Sequence, residues 1–166
     1  MTTDETRTDG EAVIAPKTTL TFMCVRNAGR SQMATTFAER EVADRGLENE
    51  VAIVTGGTHP ADSVHDVVVE ALAEVGLDVN GREPRHVSET TLAESDFVAT
   101  MGCSTLELEE VDTDDWDLDD PGEQPIEAVR EIRDEIERRV VALFDERFGE
   151  RTDERFGERT DERGGE

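Results

Sequence analysis

Apolar residues along this chain follow two patterns, short continuous runs and longer stretches in which they recur every three or four positions. The short runs predict β-strands at Leu20–Cys24, at Val51–Thr55 and within Asp96–Met101. The periodic stretches predict amphipathic helices at Ser31–Arg45, at Val64–Val75 and from Ile126 to Leu143. A short strand near Asp78–Val79 and a short helix near Ser88–Ala93 are expected between them.

The order of these elements predicts the fold class. Strands that alternate with helices are typical of a parallel sheet covered on both faces. We therefore expect a three-layer α/β sandwich around a four-stranded parallel sheet, within residues 17–145. The apolar positions predict which helix faces are buried: Met33, Ala34, Phe37, Ala38 and Val42 in the first helix, and Val68, Ala71, Leu72 and Val75 in the second.

The two ends of the chain lack such patterns. Residues 1–16 are rich in Thr, Asp, Glu and Gly, which predicts a disordered acidic tail. Residues 146–166 belong to a charged octad repeat, Asp-Glu-Arg-Phe-Gly-Glu-Arg-Thr, which begins at Asp145. Such a repeat has little to bury, so we expect a low-complexity tail without a catalytic role.

The strong excess of acidic residues limits the partners and the environment that can be expected for this protein. The chain of 166 residues has 42 acidic and 17 basic residues, a net charge of −25, and Lys17 is its one lysine. Without a cationic patch, nucleic acid is not an expected partner. An acidic, lysine-poor globular surface is typical of proteins from a high-salt cytoplasm. No long apolar run or signal peptide is visible, so we expect a cytoplasmic protein that does not associate with membranes.

The main candidates for catalysis lie between the first strand and the first helix, in Cys24-Val-Arg-Asn-Ala-Gly-Arg-Ser31. Strand-to-helix turns bind anions, because backbone N–H groups converge there and the helix dipole presents its positive end. The same field stabilises a thiolate, so Cys24 is the candidate nucleophile. Arg30 can place two N–H donors on a tetrahedral oxyanion, and Ser31 can cap the helix or donate to the thiolate. The predicted oxyanion-binding residues are Val25, Arg26, Asn27, Ala28, Gly29, Arg30 and Ser31.

This loop resembles that of low-molecular-weight protein tyrosine phosphatases, and more closely that of the related arsenate reductases, which commonly read Asn-x-x-Arg-Ser-Gln-Met-Ala there. The resemblance runs from about Thr18 to about Phe144. It includes three further motifs: Gly56-Gly-Thr-His-Pro60, Met101-Gly-Cys103 and Trp116-Asp-Leu-Asp-Asp-Pro121. It implies the phosphatase-like α/β fold and an enzyme that works through a cysteine nucleophile.

The resemblance also implies roles for residues outside the loop. By motif, Asp120 is the general acid that protonates the leaving oxygen, with the neighbouring Asp119 as the less favoured alternative. Phosphatases of the family usually have an aromatic residue after the Asp-Pro, but Gly122 stands here, and Trp116 is left as an alternative aromatic wall. Cys103 corresponds to a resolving thiol of arsenate reductases, with core packing as its alternative. Thr35 replaces the acid of potassium-binding variants, so we expect no metal.

Three functions follow as hypotheses, in order of preference. The first is an arsenate reductase without a bound cofactor, in which a second thiol resolves the adduct on Cys24 and a redoxin, such as thioredoxin or glutaredoxin, or a small thiol supplies electrons. The second is a low-molecular-weight phosphatase that hydrolyses phosphate monoesters. The third is an oxyanion sensor without turnover, which the retained thiol and Asp-Pro disfavour. The three histidines lack metal-site spacing, and only His59 is expected at the rim of the crevice.

Overall fold

A computed structural model describes residues 17–101, 111–122 and 124–149. Cys103, the predicted tail at 1–16 and residues 150–166 of the predicted tail at 146–166 lie outside the described residues. The strands are β1 (Thr18–Cys24), β2 (Val51–Gly57), β3 (Phe97–Met101) and β4 (Asp112–Asp115). The helices are α1 (Arg30–Arg45), α2 (Asp66–Ala73), α3 (Glu89–Ala93) and α4 (Ile126–Phe148).

All four strands are parallel and form one sheet in the order β2-β1-β3-β4. The predicted four-stranded parallel sheet is therefore confirmed. Because β1 lies inside the sheet, its carboxyl end opens into the crevice between its two neighbours. Cys24, the last residue of β1, is level with Gly57 of β2 and with Met101 of β3.

Alternate residues of β1 pack into two cores on opposite faces of the sheet. Leu20 and Phe22 belong to the larger core, which α1, α2 and α4 cover. Met23 belongs to a smaller core on the other face, with Val87 and with Leu92 of α3. This period-two division confirms the predicted three layers.

Helix α1 follows its predicted pattern closely. Its five predicted inward residues are all buried. Gly46 ends the helix with a left-handed φ of 70°, a conformation that suits glycine because no Cβ is present to clash. The Leu47 N–H then donates to the Val42 carbonyl at 2.9 Å, and the Leu47 side chain packs against the core. The predicted stop at this glycine is thus confirmed.

The fourth strand is not where the sequence places it. Residues 78–79 form no strand, since the Asp78 carboxylate accepts a hydrogen bond from the Asn80 N–H at 2.9 Å and turns the chain. The fourth strand is β4, whose residues are all exposed and mostly acidic, so it has no apolar pattern to detect. Its carboxylates protect a sheet edge that would otherwise offer unpaired backbone groups to another chain.

Two further expectations on the helices are wrong in detail. Helix α2 ends at Ala73, so Val75 is not on its inward face and is 41% exposed. Helix α4 continues past residue 145 to Phe148, within the first octad of the repeat. The described part of that octad contacts the rest of the domain, because Asp145 and the Gly149 carbonyl both bind Arg45, Arg147 pairs with Asp112, and the Phe148 ring lies 5.3 Å from that of Phe144.

A pH-dependent ion pair connects the end of α2 to α4. Glu74 accepts hydrogen bonds from Arg130 at 2.7 and 2.9 Å and from Arg133 at 3.0 Å. The hydrogen bonds from Arg130, aided by those from Arg133, lower the pKa of Glu74 below its ordinary value of 4.5. A carboxyl group with a lowered folded-state pKa stabilises the fold above its unfolded pKa, and this contribution is lost as the pH falls through the folded value.

We therefore expect Glu74→Gln to lower the melting temperature at pH 7. The difference from wild type should close as the pH falls below 4.5, because the wild-type carboxylate then takes up its proton and loses the charge that attracts both arginines. Thermal melts of both proteins from pH 7 to pH 3 measure this. Glu131→Gln is the control, since Glu131 is exposed on α4 and has no ion pair within the described residues. A difference that stays constant with pH would contradict the prediction.

Candidate active site

The loop at 24–31 lies in the crevice at the carboxyl end of β1. It is built with its carbonyls turned outward, and four of them accept hydrogen bonds from the N–H groups of the segment that follows β2. These bonds are Thr58 N to Cys24 O (3.3 Å), His59 N to Val25 O (2.7 Å), Ala61 N to Arg26 O (2.9 Å) and His65 N to Ala28 O (3.0 Å).

Outward carbonyls determine where the loop amides point. Because a trans peptide is planar, the N–H group after each carbonyl points in the opposite direction. The amides of Val25, Arg26, Asn27 and Gly29 are therefore turned into the loop. Asn27 shows this directly, since its N–H points at the Cys24 sulfur from 3.3 Å. Converging amides at the start of α1 form an anion-binding cradle.

The Cys24 thiol lies at the floor of this cradle. It is 2% exposed, and its sulfur is 2.9 Å from the Ser31 hydroxyl oxygen. The helix begins at Arg30 after Gly29, so Ser31 lies in the first turn and is not the cap. Of the two roles predicted for Ser31, the geometry leaves the contact with the thiol.

The Ser31 hydroxyl belongs to a buried hydrogen-bond network. The Asn27 side-chain amide donates to the oxygens of Ser31 and Thr55, both at 2.8 Å. Because the Ser31 oxygen accepts this bond, its own hydrogen is free to point at the Cys24 sulfur. A hydroxyl that donates to the sulfur would orient the Cys24 side chain within the cradle.

Asn27 is held in place by several partners that the sequence pattern does not reveal. Its φ of 53° is left-handed, a conformation that asparagine tolerates better than most residues. Its side-chain oxygen accepts hydrogen bonds from the Gln32 amide and from the Arg85 N–H, both at 3.0 Å. Thr55 in turn donates to the Phe22 carbonyl of β1 at 3.0 Å. The strained residue of the loop is thus connected to the sheet beneath it.

Arg30 connects the cradle to the segment that carries Asp120. Its Nη1 donates to the Leu118 carbonyl at 2.7 Å, and its Nη2 lies 3.9 Å from the Asp120 carboxylate. Its Nε is buried and has no partner within the described residues. A buried donor without a partner costs free energy, and an oxyanion in the cradle would satisfy it. The Nε edge is therefore the side of the guanidinium that is available to an anion.

The Asp120-Pro121 segment packs directly on the cradle. A Cβ on Gly29 would lie 2.7 Å from Pro121 Cγ, so only glycine allows this close approach. The Asp120 side chain is 60% exposed, and its Oδ1 accepts a hydrogen bond from the Gly122 N–H at 2.9 Å. The structure thus brings Cys24, Arg30 and Asp120 to one crevice, where the motifs place them.

The other predicted site residues differ in whether they reach the crevice. Trp116 is 3% exposed and packs against Phe22 with ring centroids 5.9 Å apart, so it is a core residue and not an aromatic wall. His59 is exposed at the rim, as expected. His65, for which the sequence predicts no role, lies between the cradle and Gly122. Cys103 lies outside the described residues, two positions beyond Met101.

The chain is similar to known enzymes over most of its length. The family described as low molecular weight phosphotyrosine protein phosphatase matches residues 19–154. A Halobacterium salinarum protein that carries the provisional name arsenate reductase is 64% identical over 127 residues, which cover 75% of this chain and 89% of that protein. Arsenate reductase 2 of Staphylococcus epidermidis is 30% identical over 130 residues, covering 75% and 94% of the two chains.

A solved structure shows the same similarity. The thioredoxin-dependent arsenate reductase of Corynebacterium glutamicum is 30% identical, with a TM-score of 0.66. The match covers 82% of this chain and 65% of that one. Within the described residues of the present protein, no helix is both long and apolar enough to cross a membrane.

Proposed function

Since this chain belongs to the low molecular weight phosphotyrosine protein phosphatase family, we propose that it is an arsenate reductase with Cys24 as its nucleophile. The observation that carries the choice is the rim of the crevice. Gly122 follows Asp120-Pro121, and Trp116 is buried. In the described part of the chain, therefore, neither residue offers the ring of an aryl phosphate a surface to stack on. A small inorganic oxyanion needs only the cradle amides and Arg30.

The first chemical step uses the groups that meet in the crevice. Arsenate binds to the inward amides and to the free Nε edge of Arg30. The Cys24 thiolate attacks arsenic, an S–As bond forms and an As–O bond breaks. Asp120 gives its proton to the departing oxygen, which leaves as water. The cradle stabilises the negative charge that builds on the remaining oxygens.

The second step reduces arsenic. A second thiolate attacks the Cys24 sulfur, and the electron pair of the S–As bond stays with arsenic, which leaves as arsenite. Two thiols have then become a disulfide, and arsenic has gained two electrons. We assign the second thiol to Cys103, with a small external thiol as the alternative. A redoxin regenerates the thiols, in keeping with the thioredoxin dependence of the C. glutamicum relative.

Phosphomonoester hydrolysis is the second candidate function. The family itself favours it, and the first step is the same with phosphorus in place of arsenic. Water would then hydrolyse the Cys-phosphate, without a second thiol. One purified sample in molar KCl, assayed for arsenate reduction with thiol donors and for aryl phosphate hydrolysis, tests both. Aryl phosphate cleavage without arsenate turnover by any donor would reject the reductase.

Arg30→Lys should reduce turnover by roughly 100-fold or more, a loss typical of removing an oxyanion donor. Lysine keeps the charge but loses the planar fork that serves the anion and the Leu118 carbonyl at the same time. Steady-state kinetics with arsenate measure the effect. Arg26→Lys is the matched control, because Arg26 belongs to the same loop but is exposed and has no ion pair within the described residues. Equal losses in both variants would remove the special role of Arg30.

A further inference from the structure

His65 lies between the two loops that form the crevice. It directly precedes α2, and its backbone N–H donates to the Ala28 carbonyl of the cradle at 3.0 Å. Its imidazole Cδ2 would be 3.5 Å from a Cβ on Gly29. The backbone and the ring of His65 are therefore both positioned against the cradle.

The adjoining edge of the same ring faces the loop that carries Asp120. A Cβ built on Gly122 would lie 2.9 Å from His65 Nε2 and 3.3 Å from its Cε1. The same point is 3.4 Å from Asp120 Oδ1. The imidazole thus occupies the space beside Gly122, next to the carboxylate, and leaves no room for a side chain at position 122.

Other contacts hold Asp120 only loosely. Its Oδ1 is bonded to the Gly122 N–H within the same turn, which fixes the turn's shape but not its place in the crevice. Its Oδ2 is 3.9 Å from Arg30 Nη2, beyond hydrogen-bond distance. The carboxylate is 60% exposed. Within the described residues, the Arg30 bond to the Leu118 carbonyl holds the chain two residues before Asp120, and the turn itself is supported by Pro121 on Gly29 and by His65 beside Gly122.

We propose that His65 is a positioning residue for the general acid, its ring supporting the turn at residues 120–122 so that Asp120 stays over the leaving oxygen. This role rests on the proposed function, because it requires Asp120 to donate a proton. The proton passes from the Asp120 carboxyl to the leaving oxygen, and His65 takes no part in the transfer. The imidazole fixes a distance, and small displacements of a catalytic group have large effects on rate.

His65→Ala tests the proposal. We expect kcat for arsenate to fall roughly 10- to 100-fold, since the acid is then misplaced but the cradle is intact. The affinity for inorganic phosphate, measured by calorimetry, should change little, because the His65 backbone N–H still serves the Ala28 carbonyl. The control is His59→Ala, whose backbone makes the equivalent bond to Val25 but whose ring contacts Thr58. Its kcat should fall far less than that of His65→Ala.

A double-mutant cycle separates positioning from a general structural effect. In an Asp120→Asn background, His65→Ala should cause no further loss of kcat, because no acid is left to position. If the His65→Ala protein does not fold, Gly122→Ala displaces the ring from the other side and should lower kcat in the same Asp120-dependent way. Full additivity with Asp120→Asn, or an equal loss in His59→Ala, would overturn the proposal. Turnover that survives Cys24→Ser would instead reject the proposed function.

Discussion

Cys24→Ser should abolish turnover of arsenate and of aryl phosphates while binding of inorganic phosphate survives. The backbone amides and Arg30 hold the anion, and the serine hydroxyl replaces the sulfur without disturbing the outward carbonyls that shape the loop. Only the thiolate attacks, because a serine hydroxyl at neutral pH is far less nucleophilic and no adjacent general base activates it within the described residues.

Two measurements check this result on the same samples. Turnover should fall by more than roughly 1000-fold, as expected when the nucleophile itself is lost. Phosphate should still raise the melting temperature, since a ligand that binds only the folded state stabilises it. Ser31→Ala is the control, because it removes a hydrogen bond to the sulfur but keeps the sulfur; it should retain part of the activity. Residual turnover above about a thousandth of wild type in Cys24→Ser would exclude Cys24 as the nucleophile.

The predicted parts of the fold are those in which burial imposes a pattern on the sequence. Strand β1 is buried on both faces, so it appears as a continuous apolar run that ends at Cys24. Helix α1 packs one face on the sheet, so its apolar residues recur at helical spacing. The position of the loop between these two elements therefore follows from the apolar pattern alone.

Strand β4 shows why the remainder of the fold does not follow from that pattern. Its residues pair with β3 mainly through backbone groups, for example Asp112 opposite Phe97, and all four of its residues are exposed although the Thr100 hydroxyl donates to the Asp115 carboxylate at 2.9 Å. An exposed edge strand in an acidic protein is no different in sequence from an acidic loop. The predicted strand near Asp78–Val79 is wrong. Val79 is buried, as a strand residue would be, but the Asp78 side chain turns the chain there.

Some residues of the candidate site can likewise be predicted from the sequence, and others cannot. Cys24, Arg30 and Asp120 follow from chemistry and motif, because residue type limits which groups can attack, clamp or protonate. The contribution of Thr55 and the place of His65 depend on tertiary contacts between segments about 30 or more residues apart. Neither residue type nor spacing reports such contacts. Gly122 is the one local signal, since a glycine after Asp-Pro leaves space that another group must fill.

Cys103→Ser should distinguish an arsenate reductase from a phosphatase. This variant should lose redoxin-driven arsenate reduction and keep any aryl phosphate hydrolysis nearly intact, since hydrolysis needs no second thiol. The connection to Cys24 comes from the sheet, because Met101 is level with Cys24 in the β1–β3 pair. In the sequence, Cys103 follows Met101 by two residues.

A disulfide between Cys24 and Cys103 requires their Cα atoms to approach to roughly 4.4–6.8 Å. Mass spectrometry after a single turnover should find this bond in the wild type and not in Cys103→Ser. Ser104→Ala, one position further along, is the matched control and should form the disulfide normally. If Cys103→Ser reduces arsenate at the wild-type rate with a small thiol as donor, the external thiol resolves the adduct. Cys103 is then a packing residue, and the reductase works with Cys24 as its one essential thiol.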